Sequence, residues 1–206
     1  PPGAPGPDLP SPFAERGTRG FFGSFFETWK LVATQPQQFF RRVRIDQTGT
    51  AVLFGLIASV AGTLVAALYN YASGKQALAT MQQVMENMPE EQARFMRMYL
   101  ELFSGGAALA QVVIAPVVTL VSMYLGAGIL HLLLMLFRGA KRPFDATLTV
   151  VAYANGLNLL LAVPGCGGLI AGIWGLVVII IGLGEIQRCG TGKAAAAVLA
   201  PAALAC

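Results

Sequence analysis

Charge is scarce in this chain. Only 12% of its 206 residues are Asp, Glu, Lys or Arg, against about 25% in a soluble domain. Half the usual share cannot cover a globular surface of this size, which excludes an ordinary water-soluble globule. Histidine occurs once, at His131, and Cys166, Cys189 and Cys206 form no CxxC pair. A zinc site or a disulfide framework is therefore not expected. HExxH, GxSxG and Cys–His constellations are missing as well. The segment "IQRCGTGKAAAA" (186–197) looks like a phosphate loop, but Ala194 follows the lysine and Gln187 stands where the first glycine belongs. No strand precedes it either, only an aliphatic run. The expectation is a protein that is not an enzyme and carries no metal or cofactor.

Apolar residues are abundant. They make up 55% of the chain, and the mean hydropathy is +0.64. They gather in long uncharged runs, the signature of an integral membrane protein. About 20 apolar residues cross a bilayer core. By that measure the spans are 48–71, 105–137, 146–163, 169–184 and 194–206. The second is too long for one straight crossing and too short for two, so it is expected as one tilted or Pro116-kinked helix. The last, at thirteen residues, is short of a crossing, as if the sequence stops inside that helix. The predicted fold is an all-α transmembrane bundle of about five spans. The chain opens on Pro1, which leaves room for residues upstream, and it shows no signal-peptide pattern.

Three stretches lie outside the spans. Residues 1–19, beginning "PPGAPGPDLPSP", read as a disordered Pro/Gly linker. In 20–46, Phe22, Phe25, Phe26, Trp29, Val32, Phe39, Phe40 and Val43 recur at helical spacing, with Pro36 as a break. Arg41, Arg42 and Arg44 sit among these aromatics. Such a helix lies in the membrane interface with its cations toward anionic headgroups, so Phe39, Phe40, Arg41, Arg42 and Arg44 are candidate lipid- or partner-binding residues. Packing on the end of the bundle is the alternative. The loop 72–104 reads as two amphipathic helices broken near Asn87–Pro89. Its methionines, Met81, Met85 and Met88, suit an apolar face better than a copper(I) site, since no Cys or His supports them.

Inside the spans the polar residues are few. His131, Asn155 and Asn158 are the candidate intramembrane polar positions. They could bond between helices or line a solute path, and helix contact is the simpler role. Gly168 and Gly172 form a GxxxG pair that favours close helix packing, so a homo-oligomer through small-residue faces is a candidate assembly. Eleven basic residues fall on the side of the N-terminus and only three on the other. By the positive-inside rule the N-terminus is cytoplasmic. The basic residues flank apolar runs, so the formal charge of +4 points to the lipid bilayer and not to nucleic acid.

The order of features resembles a known family. "WKLVATQPQQFFRRV" and the stretch from "RGAKRPFDATLTVVAYANG" to "GTGKAAAAVL" are similar to the Ypt-interacting-protein (Yip) domain family of polytopic proteins. The markers are a basic turn, then Tyr153, Ala154 and Asn155, the Pro164–Gly165 turn, Trp174, Glu185, and Lys193–Ala194. The family often has proline just after the asparagine; here Gly156, Leu157 and Asn158 follow, which leaves the local kink open. The resemblance implies a five-span bundle with a cytoplasmic N-terminus and supplies no catalytic residues. It implies a prenylated small GTPase as partner for eukaryotic members only. The Ala/Gly-rich composition suggests a bacterial inner-membrane protein. The function expected is a non-enzymatic membrane scaffold or adaptor. A small-solute permease or channel lined by Asn70, Asn155, Asn158 and His131 is the alternative.

Overall fold

The computed structural model describes residues 9–86, 89–90, 92–94 and 107–204. Helices dominate, and the only extended pairing among the described residues is an isolated parallel bridge between Leu9 and Val43. The fold is an all-α polytopic bundle. Four helices among the described residues are long and apolar enough to cross a membrane.

The first span begins α4 (Thr48–Glu86), a helix of 39 residues. At 1.5 Å per residue it is roughly 60 Å long, about twice a bilayer core. Its apolar crossing covers Ile45–Tyr69. The helix thus does not end near Tyr71 as expected. It joins the first predicted amphipathic helix without interruption and stops at Glu86, beside the predicted break near Asn87–Pro89; 72–86 holds no proline, although Gly74 is a poor helix former. Residues 87–88 and most of the predicted second amphipathic helix, 95–104, lie outside the described residues. The second span, α5 (Ala107–Leu136), is one continuous element with Pro116 inside it, as expected.

The third span starts as α6 (Phe144–Ala154) and tightens into a 3-10 helix over Asn155–Ala162. The change comes at Asn155 without any proline. A turn with Gly165 at φ 81° leads into α7 (Gly167–Ile186). The final α8 (Thr191–Leu204) has 14 residues and is shorter than a crossing.

Two glycines bring the first and third spans together. A Cβ on Gly55 would lie 2.2 Å from the carbonyl oxygen of Ala152, and one on Gly62 would lie 2.0 Å from that of Asn158. Only glycine permits this approach. By contrast, α5 leaves Val117, Val121, Leu125, Ile129, Leu132 and Leu136 exposed along its outer side. An apolar face of that length is what a bilayer covers.

The N-terminal part differs most from expectation. Residues 9–19 are not a disordered linker. Ser11 caps a 3-10 turn at Pro12–Glu15, followed by the short α1 (Arg16–Arg19). Phe13 is 0% exposed. A proline-rich composition predicts an extended, solvated chain, yet one buried phenylalanine outweighs it here. Next come α2 (Phe21–Thr34) and α3 (Pro36–Arg42), with Pro36 opening the second helix. Residues 1–8 of the predicted linker lie outside the described residues.

Candidate functional site at the basic end of the bundle

The N-terminal segment, the 138–143 turn and the 187–193 turn meet at one end of the bundle. An aromatic cluster anchors the segment along the first and third spans. Phe13 meets Phe25 and Phe54 edge-on, with ring centroids 5.9 and 5.5 Å apart, and Phe39 meets Tyr153 at 4.8 Å. Such pairs add about 0.5–1.5 kcal/mol each beyond area burial.

Hydrogen bonds of long sequence range fix the same contacts. Tyr153 donates its hydroxyl to Ser11 Oγ at 2.8 Å, and the backbone N–H of Phe13 donates to Thr28 Oγ1 at 2.8 Å. The Trp29 indole N–H reaches the carbonyl of Gly156 at 3.1 Å, and the Trp174 indole N–H reaches that of Ala33 at 2.8 Å. Arg41 grips both oxygens of Glu185, at 3.0 and 3.3 Å, and Gln37 donates to the same carboxylate at 2.8 Å.

This geometry corrects part of the predicted lipid-binding set. Phe39 and Phe40 are 7% and 2% exposed, so they belong to the core and cannot meet lipid. Phe25, Val32, Phe39, Phe40 and Val43 of the predicted stripe are buried against the bundle, whereas Phe22 and Phe26 of the same stripe are exposed. The residues left outside are Phe21, Phe22 and Phe26. Arg41 is held by Glu185, and Arg44 pairs with Asp46. Arg42 is exposed and lines a cleft of about 270 Å³ with Leu9, Pro12, Arg19, Gln35 and Gln38.

The three intramembrane polar residues all bond to protein. Asn155 donates to the carbonyl of Val151 at 2.8 Å and accepts from Asn158 at 3.0 Å. Asn158 also donates to Ser59 Oγ at 3.0 Å, and Ser59 donates to the carbonyl of Asn155 at 3.2 Å. His131 shares a hydrogen bond of 2.9 Å with Thr147. Among the described residues no buried side-chain nitrogen or oxygen lacks a partner.

Sequence reading missed the residue that joins the two basic turns. Gln187 is 0% exposed. Its oxygen accepts the N–H groups of Lys141 and Arg142 at 3.0 and 2.7 Å, and its nitrogen donates to Thr147 Oγ1 at 3.0 Å. A glutamine between an aliphatic span and an arginine reads as a solvated loop residue, so no local signal marks it. Around it the turns cap each other. Lys141 donates to the carbonyl of Arg188 at 2.9 Å, and Lys193 donates to that of Arg138 at 3.2 Å. Both arginines stand at positive φ, 52° and 51°, where α5 and α7 stop. A cation at a helix C-terminus also offsets the negative end of the helix dipole. Beside them, partial burial pushes the Cys189 thiol above its ordinary pKa, and the charges of Lys141 and Lys193 offset this only in part.

The family markers thus turn out to be fastenings. Tyr153, Trp174 and Lys193 each bond through their side chains to another part of the chain, and the Asn155 carbonyl accepts from Ser59 of the first span. Pro164 and Gly165 form the exposed turn at the opposite end. No curated protein and no solved structure matches the chain significantly. The Yip1 domain profile matches residues 29–206. That span takes in every one of these markers, and the chain belongs to the Yip1 domain family of membrane proteins.

Proposed function

We propose that this protein is a non-enzymatic membrane scaffold or adaptor. Its basic end, with the N-terminus, lies on the cytoplasmic side of a bacterial inner membrane. One observation carries the reading: Ser59, His131, Asn155 and Asn158 direct hydrogen bonds to other protein groups. Polar groups engaged in this way stitch helices and leave little to solvate a passing solute. The orientation rests on the excess of basic residues at that end.

The segment 9–43 is the presenting element. Its inner face is fixed to the bundle, while Phe22 is 73% exposed and stands with Phe21, Phe26 and Lys30 on the outside. Aromatics beside a cation suit the headgroup boundary. A second copy of the chain is the candidate protein partner. A Cβ on Gly172 would meet nothing within 4 Å, so that part of the GxxxG face is unused within one molecule. In a bacterial protein no prenylated GTPase is expected.

Proteoliposomes test the reading. Vesicles containing the full chain should swell in glycerol, urea or amino-acid gradients no faster than protein-free vesicles. Swelling that is protein-dependent and reduced by Asn158→Leu would replace the scaffold with a permease.

A further inference from the structure

The two turns at the basic end carry the whole net charge of the protein. Residues 138–145 and 187–193 hold Arg138, Lys141, Arg142, Arg188 and Lys193 against a single acid, Asp145. The rest of the chain has nine basic and nine acidic residues. Hydrogen bonds lock the turns into one surface. Lys141 and Lys193 cross over to the carbonyls of Arg188 and Arg138, and Gln187 binds the backbone of Lys141 and Arg142 beneath. The lysines thereby fix the backbone that displays Arg138, Arg142 and Arg188. Among the described residues none of these three guanidinium groups has an acidic partner. The patch also adjoins an apolar face. Leu132, Met135 and Leu136, in the last turns of α5 just before Arg138, are exposed.

We propose that Arg138, Arg142 and Arg188 form a binding site for the phosphate headgroup of an anionic phospholipid, whose acyl chains lie along the Leu132–Leu136 face of α5. Planar guanidinium forks match a phosphodiester. The site lies at the end of membrane-crossing helices, where headgroups are found. An apolar face leading up to the cations selects a lipid over a soluble anion. This site is separate from the aromatic segment 9–43 and does not depend on the scaffold reading.

The test uses the purified, delipidated full chain in mild detergent, with phosphatidylglycerol, phosphatidylcholine or inorganic phosphate added. Retained lipid is counted by native mass spectrometry, and thermal shift is followed in parallel. Phosphatidylglycerol should be retained and raise the melting temperature, while phosphatidylcholine and inorganic phosphate should not. The triple variant Arg138→Gln, Arg142→Gln, Arg188→Gln should weaken phosphatidylglycerol binding about a hundredfold at low salt. The matching triple lysine variant should recover most of it. Removing the three cations of residues 72–104, Lys75→Gln, Arg94→Gln and Arg97→Gln, should leave it unchanged. Equal retention of both lipids would overturn the proposal, as would a folded triple glutamine variant that binds like the parent. A thermal shift from inorganic phosphate equal to that from the lipid would also overturn it.

Discussion

Replacing Gly62 with alanine would place a methyl carbon 2.0 Å from the carbonyl oxygen of Asn158, 2.8 Å from its carbonyl carbon and 3.1 Å from Leu159 Cα. All three are backbone atoms of the 3-10 segment, so no side chain can swing aside. Ordinary contact begins near 3.4 Å, and the first and third spans must part by about 1.4 Å to reach it. That separation stretches the bonds of Ser59 to Asn155 and Asn158, now 3.2 and 3.0 Å, beyond hydrogen-bonding range. Overpacking costs about 2 kcal/mol, and two interhelical hydrogen bonds at about 0.6 kcal/mol each add about 1 more. The total, about 3 kcal/mol, shifts the folded-to-unfolded ratio about a hundredfold. For a chain of this size it should lower the melting temperature by roughly 6–12 °C. Thermal unfolding in mild detergent measures it, with Gly126→Ala as control because a Cβ there meets nothing within 4 Å. If both variants melt within about 1 °C of each other, the close approach of these spans is wrong.

Three further outcomes are expected. Phe13→Ala empties a fully buried ring site and should cost about 3 kcal/mol or more; trypsin should then cut at Arg16 and Arg19 faster than in the parent, and unchanged cleavage would return residues 9–19 to a free linker. Arg41→Gln removes a partly exposed pair with Glu185 and should cost less than about 1 kcal/mol in thermal unfolding, since exposed ion pairs are weak. The raised Cys189 thiol holds less thiolate at neutral pH than a free thiol. Its alkylation by iodoacetamide, followed by peptide mass spectrometry, should therefore keep rising with pH through the ordinary thiol range; a plateau at neutral pH would contradict this.

The spans were legible because lipid demands uninterrupted apolar helices, and a run such as 169–184 can be little else. The single long α5 was legible from length, since 105–137 is too short for two crossings and a turn. The continuity of α4 was not, because polarity rises after Tyr71 and marks a change of environment where the helix itself does not break. Periodicity located the stripe through Phe25, Phe39 and Phe40 but could not say what the stripe faces. The burial of Phe13 depends on Phe54, a residue of the first span, so no local reading of the proline-rich start could find it. His131, Asn155 and Asn158 stood out by being polar in apolar runs. Gln187 sat at a boundary where a polar residue is ordinary.

The fastening of the N-terminal segment has a consequence in time. Ser11 finds Tyr153 at a separation of 142 residues, Trp29 finds Gly156 at 127, Ala33 finds Trp174 at 141, and Arg41 finds Glu185 at 144. A ribosome adds about 5–20 residues per second. The segment therefore leaves the ribosome roughly 7–30 s before its partners exist. Through that interval Phe39, Trp29 and Arg41 lack their partners, while Phe13 and Phe25 can meet Phe54 as soon as the first span has been made. Closure of the basic end is a late step in biogenesis, completed only after the third and fourth spans have been inserted.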